Sequence, residues 1–418
     1  LSCIQHYEKK LQMFFSRFSI LSRLYTQSSF RHVEEKQISM RVQFYSSETP
    51  EALKAAIEES NNDNQFQSHI VIAGDANDWS ADDLDDWLKQ QTIPVFGAVF
   101  PQIIHEKDNY EKGFIVVSLS DALDWKVVDG LSAMEKDYDD DIGDVSDDWS
   151  DGDTDSTLLV FADGMSSRIA ALIEALFFNF GLDRNFVGGG AGSLSFQQKP
   201  CILCPDGFLE DVALLLHIPL NSGVGVAHGW QPVTEQIKVT KSDRNVILEL
   251  DYKDAFDYYK KIVNEQSGQS IGVDNFFDIA KSYPFGIVKI DAEMVVRDPL
   301  MPTEDGKGLV CVGEVPEECF VKILKGTPEN LISAAGTARQ LAEEDWNSRY
   351  EGNAEAGLFI DCISRVLFLE NQMADEIANV SENLPLFGAL TLGEIANNGT
   401  DYLEFYNKTA VLCMLGKS

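Results

Sequence analysis

Residues 157–193 read TLLVFADGMSSRIAALIEALFFNFGLDRNFVGGGAGS: an apolar run, a periodic segment, then a second apolar run ending in glycines. Leu158 to Phe161 lack the polar alternation of a half-exposed strand, which predicts a strand covered on both faces. Within 166–180, Ile169, Leu172, Ile173, Leu176 and Phe180 recur at steps of three and four, the period of a helix with one apolar face. Strand, helix, strand in that order is the unit of α/β layering.

The pattern returns on both sides. From His69 the chain reads HIVIAGDA, a helical segment, TIPVFGAVF and GFIVVSL; from Ala356 it reads AGLFIDCIS, a helical segment, NLPLFGALTLGEI and LEFYNKTAVLCML. In the central copy the third strand is KPCILCPDGF, after the glycines. Ser80 precedes Asp82 and Asp83, which marks the start of the first copy's helix. The expected fold is therefore α/β and two-lobed, built from repeated strand-helix-strand-strand units forming mixed sheets flanked by helices. Short strands over 224–325 bridge the copies, and the lobes divide into 40–252 and 253–418.

Val95-Phe96-Gly97-Ala98, Val187-Gly188-Gly189-Gly190-Ala191 and Leu386-Phe387-Gly388-Ala389 occupy equivalent places in the three copies. Glycine there admits close approach to the backbone, by a neighbouring strand or by a ligand. The central copy continues to Gly192 and Ser193, which makes Gly189, Gly190 and Ser193 candidate ligand contacts.

Composition narrows the function classes. Of 418 residues 44% are hydrophobic, enough for sizeable cores, while 68 acidic residues against 33 basic ones give a net charge of −35 that repels phosphate backbones. The seven cysteines are Cys3, Cys201, Cys204, Cys311, Cys319, Cys362 and Cys413, an odd and scattered set that suits reduced thiols in a cytoplasm. No apolar run approaches the ~20 residues of a spanning helix, so no membrane insertion is expected. Residues 13–31 are rich in serine, arginine and phenylalanine without an acid, so 1–39 is either a leader or a stretch upstream of a start at Met40. The acidic run 138–156, YDDDIGDVSDDWSDGDTDS, is expected to be a disordered insert: Gly152 would put Trp149 where a calcium loop needs an oxygen ligand.

Catalytic patterns are missing. Cys201 and Cys204 precede His217, but they sit on a predicted strand, where residues three apart face opposite ways, and no four-ligand zinc set accompanies them. The 187–193 turn lacks the lysine of a phosphate loop. His228, between Ala227 and Gly229, is either a hydrogen-bonded core histidine or a haem ligand. Arg365 lies one turn into the helix after Cys362; Glu394 follows the glycine turn; Asn407, Lys408 and Thr409 lie on the next strand. All fall at one sheet end, where a cation and an anion suit an amino-acid ligand, unless Arg365 and Glu394 simply pair with each other.

Several of these stretches together carry a family resemblance. In order they are GGGAGS at 188–193, VAHGW at 226–230, Val239-Thr240 with NVILELD at 245–251, YPFGI at 283–287, Arg297-Asp298-Pro299, Cys362 with Arg365, Gly393-Glu394-Ile395 and FYNKT at 405–409. Over about 41–416 the chain resembles the FIST family. The resemblance implies a sensory domain for small ligands, amino acids or related metabolites, that works with kinases, chemoreceptors, cyclases or F-box proteins. For a subset it implies haem b, nitric oxide sensing and a partner histidine kinase. The expectation is a stand-alone, cytoplasmic, non-enzymatic sensor without a cofactor, passing its signal to a separate protein such as a histidine kinase. The alternative is a haem-dependent gas sensor with His228 as ligand.

Overall fold

The computed structural model describes residues 39–149, 156–182, 184–290, 293–382, 384–397 and 402–417. The leader expectation for 1–39 lies, apart from Ser39, outside them. Each copy of the repeat begins one strand and one helix earlier than its sequence pattern suggests, and carries a two-stranded hairpin before its last strand. The first copy runs β1 (Met40–Tyr45), α1 (Pro50–Asn61), β2 (Ser68–Gly74), α2 (Ala81–Lys89), β3 (Val95–Phe100), a hairpin of β4 (Gln102–His105) and β5 (Asp108–Tyr110), then β6 (Phe114–Leu119). The second repeats this as β7 (Asp124–Val128), α3 (Asp139–Trp149), β8 (Thr157–Asp163), α4 (Ile169–Phe180), β9 (Asn185–Ala191), a hairpin of β10 (Ile202–Cys204) and β11 (Gly207–Leu209), and β12 (Ala213–Ile218). KPCILCPDGF thus forms this hairpin, and the copy closes on β12. The third begins with β13 (Asn221–Ala227), is interrupted by an insertion over 231–325, and resumes with α5 (Pro328–Arg349). It ends in β14 (Ala356–Cys362), α6 (Ile363–Leu369), α7 (Met373–Ser381), β15 (Leu386–Thr391), a hairpin of β16 (Glu394–Ala396) and β17 (Glu404–Tyr406), and β18 (Ala410–Gly416).

Among the described residues the copies form three six-stranded sheets of identical plan, β1-β6-β2-β3-β10-β11, β7-β12-β8-β9-β16-β17 and β13-β18-β14-β15-β4-β5. In each, one parallel pair (β2/β3, β8/β9, β14/β15) sits among antiparallel neighbours. The hairpin of each copy completes the sheet of another: β4 pairs with β15, β10 with β3, and β16 with β9. The fold is thus mixed α/β with several mixed sheets flanked by helices. The lobe boundary at 252/253 does not divide it in space, because β13 pairs with β18 and the hairpins cross that boundary in both directions. The insertion builds its own nine-stranded sheet, whose strands include Ile237–Asp243, Val246–Leu250, Leu309–Cys311 and Phe320–Lys325.

The shared glycine is explained by strand contact. A Cβ on Gly97 would lie 2.0 Å from the Val71 carbonyl oxygen, on Gly188 1.8 Å from that of Val160, and on Gly388 1.8 Å from that of Phe359. No side chain fits there in any copy. Ser80 caps α2 as expected: its backbone N–H donates to Asp83 Oδ2 at 3.1 Å. Cys201 and Cys204 are buried in the core, and burial pushes the Cys204 thiol up to about 11.

The expectation of a disordered insert at 138–156 is corrected over most of its length. Asp139–Trp149 is helix α3, the counterpart of α1 and α5, while residues 150–155 lie outside the described residues. Ile142 and Val145 are buried, Ile142 in one cluster with Leu172, Ile173 and Leu176 of α4, and Trp149 stacks on His217 at 5.5 Å. Those three share one face at steps of three and four, and Asp139, Asp140 and Asp141 occupy the first turn, where the helix dipole favours negative charge. Carboxylate density masked the period. Gly143 sits mid-helix, and an added Cβ would meet only Asn179 Oδ1 at 3.5 Å. Gly143→Ala is therefore expected to stabilise the chain by about 0.5–1 kcal/mol in chemical denaturation; an unchanged midpoint would mean that the segment is not helical.

Candidate functional site

The sequence-predicted residues fall into separate places. Cys362 ends β14 and Glu394 opens β16, and the fold does bring them together. Glu394 Oε1 accepts from Thr391 Oγ1 at 3.1 Å and Oε2 from the Thr409 amide at 3.1 Å. Burial pushes the Glu394 carboxyl up to about 8, against the opposing hydrogen bonds of Thr391, Thr409 and Cys362. Burial and the nearby Glu394 charge also raise the Cys362 thiol, which lies 3.0 Å from Ser364 Oγ.

Arg365 does not pair with Glu394. Its Nε donates to Glu376 Oε1 at 2.9 Å and lies 3.1 Å from Asp361 Oδ1, and its Nη2 also contacts Glu376. Nη1 donates to the carbonyls of His228 (2.8 Å) and Lys408 (3.1 Å), and Nη2 to that of Leu331 (2.9 Å). All five N–H groups of a guanidinium are engaged, and the side chain is fully buried. Arg365 is a clamp joining α5, α6, α7 and the chain beside β13 and β18, with no donor left for a ligand. Lys408 turns towards the insertion, with Nζ 2.9 Å from Asp298 Oδ2 and donating to the Lys281 carbonyl at 3.1 Å. Asn407 Oδ1 accepts from Arg297 Nη1 at 3.4 Å. A Cβ on Gly189 would meet the Gly393 carbonyl oxygen at 2.7 Å, and one on Gly190 the Leu392 oxygen at 3.0 Å. The β15–β16 turn therefore occupies the space those glycines leave. Ser193 Oγ donates to Asp75 Oδ2 at 2.6 Å.

His228 is 3% exposed. Its Nδ1 accepts from the Trp230 amide at 2.9 Å, and its Nε2 lies 3.3 Å from Glu293 Oε1. Burial, helped by the Arg365 charge, lowers the imidazole to about 3, while burial raises the Glu293 carboxyl, so both are held towards their neutral forms. That contact is not an ion pair. The adjoining hollow has a mixed lining, with Ala227, Trp230, Pro232, Met294 and Ala334 beside Gln231, Asn330, Ser333 and Thr337. Haem ligation would need Nε2 free, and here the Glu293 carboxyl group stands in front of it, which fits a core histidine better than a haem ligand.

A cavity suited to a polar ligand lies elsewhere, over the carboxyl end of β8. Asp163 fixes the turn there: Oδ1 accepts from the Met165 amide at 3.0 Å, and Oδ2 from the Asp211 amide at 2.8 Å and Gln198 Nε2 at 2.9 Å. Helix α4 then starts at Ile169, and Arg168 before it supplies no capping side chain to the first-turn amides. Three parts of the chain close over this turn: Arg244 and Asn245 from a hairpin turn of the insertion, Glu314 from its 312–314 loop, and Leu392 with Phe405 from the exchanged hairpin of the third copy. They enclose about 360 Å3 together with Ser166, Ser167 and Ala170. Asn245 Nδ2 donates to the Cys311 carbonyl at 3.0 Å, which ties the turn to the loop carrying Glu314. Arg244 is half exposed and lies 3.9 Å from Asp243. Burial and the Glu174 charge raise the Glu314 carboxyl.

Sequence reasoning passed over Arg244, Glu314, Ser166 and Ser167. The one available signal was Asn245, which opens the NVILELD stretch.

The FIST N domain matches residues 69–253 and the FIST C domain residues 255–397. No curated protein matches the chain. Among the described residues no helix is long and apolar enough to cross a membrane.

Glu394 gives a pH test. Its folded value, about 8, lies above its ordinary 4.5, so between these the unfolded chain releases a proton that the folded chain keeps. The stability owed to this group is present below about 4.5 and falls as pH rises towards 8. Glu394→Gln should therefore gain stability relative to wild type as pH increases from 5 to 8 in urea denaturation; a constant difference would show that the carboxyl titrates normally.

Proposed function

The chain belongs to the FIST family of sensory, ligand-binding domains, and from that membership we propose that it senses an amino acid or closely related metabolite in the cavity over β8 and α4. The observation that carries this reading is the pairing of Arg244 and Glu314 around one cavity at the start of a helix. An α-amino acid offers a carboxylate and an ammonium two bonds apart. Arg244 and the first-turn amides of α4 suit the carboxylate, since both donate to negative charge. Glu314 suits the ammonium, which would draw its raised carboxyl back towards the ionised form. Leu392 and Phe405 supply an apolar wall. A volume of about 360 Å3 lies within the range of small-ligand pockets.

The predicted residues support this site from behind. The Gly190 amide donates to the Gly393 carbonyl at 2.8 Å and the Leu392 amide to the Gly190 carbonyl at 2.8 Å, so Gly190 positions the turn that carries Leu392 into the cavity. Glu394, with Cys362, anchors the strand that follows. The ligand is bound and released unchanged. Because its contacts come from the second copy, the third copy and the insertion, occupancy favours one arrangement of the three over others. A separate signalling protein, such as a histidine kinase, reads that arrangement.

Calorimetric titration with a panel of the common amino acids should find at least one that binds. Arg244→Ala and Glu314→Gln should each weaken it about tenfold or more, the worth of a charge-assisted hydrogen bond. Binding that neither substitution changes would refute the assignment.

A further inference from the structure

A second cavity, of about 240 Å3, continues along α4 and shares Ala170, Glu314 and Phe405 with the first. Its lining includes Ile173 and Phe177 of the helix and Ile287 and Val295 of the insertion, with the carboxyl groups of Glu174 and Glu404 also on its wall. From Ile169, at the start of the first cavity, to Phe177, at the end of the second, the helix rises about 12 Å.

Arg297 also lines this second space, although it is only 6% exposed. Its Nε donates to the Glu314 carbonyl at 2.8 Å. Nη1 donates to the carbonyls of Val296 (3.0 Å) and Phe405 (2.9 Å) and to Asn407 Oδ1 (3.4 Å). Among the described residues Nη2 makes no hydrogen bond or ion pair. Arg365 is the contrast within the same chain: fully buried, it engages every donor. A buried guanidinium that lines a cavity and keeps the N–H groups of one nitrogen free calls for an oxygen acceptor, best an anionic one. The other cation on this wall, Lys289, is already paired with Glu404.

Resting on the amino-acid reading of the first cavity, we infer that the two cavities form one site for a dicarboxylic α-amino acid, whose side chain passes between Ala170 and Phe405 and places its terminal carboxylate on Arg297 Nη2. Arg244 and Glu314 then hold the α-carboxylate and ammonium, and Arg297 determines specificity at the far end. The short apolar passage accommodates the methylene groups between the charged ends.

The test needs no variant at first. 2-Aminoadipate and norleucine have side chains of the same length, ending in a carboxylate and a methyl group. Calorimetric titration of the full chain should show 2-aminoadipate binding about tenfold or more tighter than norleucine. Arg297→Lys keeps the charge but loses the fork. With its thermal midpoint checked against wild type, it should bring the two probes to within about threefold of each other by weakening 2-aminoadipate alone. Equal binding of both probes, or tighter binding of norleucine, overturns the inference while leaving the amino-acid site standing. A preference that survives in Arg297→Lys overturns the role of Arg297. Failure of both probes to bind, with other amino acids still binding through Arg244, also refutes the dicarboxylic inference. No binding by any amino acid removes the first reading and this one with it.

Discussion

The architecture depends on a close contact made once in every copy, where the second strand of the parallel pair crosses the first. At Gly97, Gly188 and Gly388 a Cβ would lie within 2.0 Å of a carbonyl oxygen on the neighbouring strand, so the backbones touch there without side chains between them. Beyond each glycine the chain leaves its own sheet and supplies a hairpin to the next: β4 to β15, β10 to β3, β16 to β9. The exchange is cyclic. Each hairpin covers a strand edge that would otherwise present unpaired amides and carbonyls, and each sheet is complete only when another copy is folded. The cavity over β8 follows from this exchange, because Leu392 reaches it on the turn that leads into the hairpin the third copy lends to the second, and Phe405 on the hairpin itself.

Local features of the fold were legible in the sequence, while the relations between distant elements were not. The apolar runs of β2, β8 and β14, the period of α4 and the equivalence of the three glycine turns all express spacing along the chain, and all are present. The exchange of hairpins pairs residues hundreds of positions apart and leaves no mark on period or composition. Helix α3 escaped notice for a different reason. Its inward face is just Ile142, Val145 and Trp149 among six aspartates, one serine and one glycine, so charge outweighed period. The candidate site was legible in part. Cys362 and Glu394 do meet, but Arg365 finds Glu376, whose place on a helix packed beside α6 could not be foreseen from strand order.

The three arginines separate scaffold from site. Arg365 is fully buried with Asp361 and Glu376, where removing one charge leaves the others uncompensated at a cost of about 3–5 kcal/mol. Its geometry gives the spacing of Cys362 and Arg365 a structural role, since it places the guanidinium within a fully bonded shell. Arg297 is almost as buried, yet it lines a cavity and among the described residues one of its nitrogens makes no hydrogen bond. Arg244 is half exposed and lines the first cavity from a hairpin turn of the insertion. The gradation from closed to open donors leads away from the residues most prominent in the sequence and towards the seam where the second copy, the third copy and the insertion meet.

The most direct test of that location is amide hydrogen exchange on the full chain, with and without a saturating amino acid found to bind. The account predicts that protection rises together in three segments distant in sequence, 166–173, 244–246 and 312–314, because one ligand bridges all three. Protection confined to 362–365 and 394–409, with those three segments unchanged, would contradict it and return the site to the Arg365 and Glu394 end of the third copy.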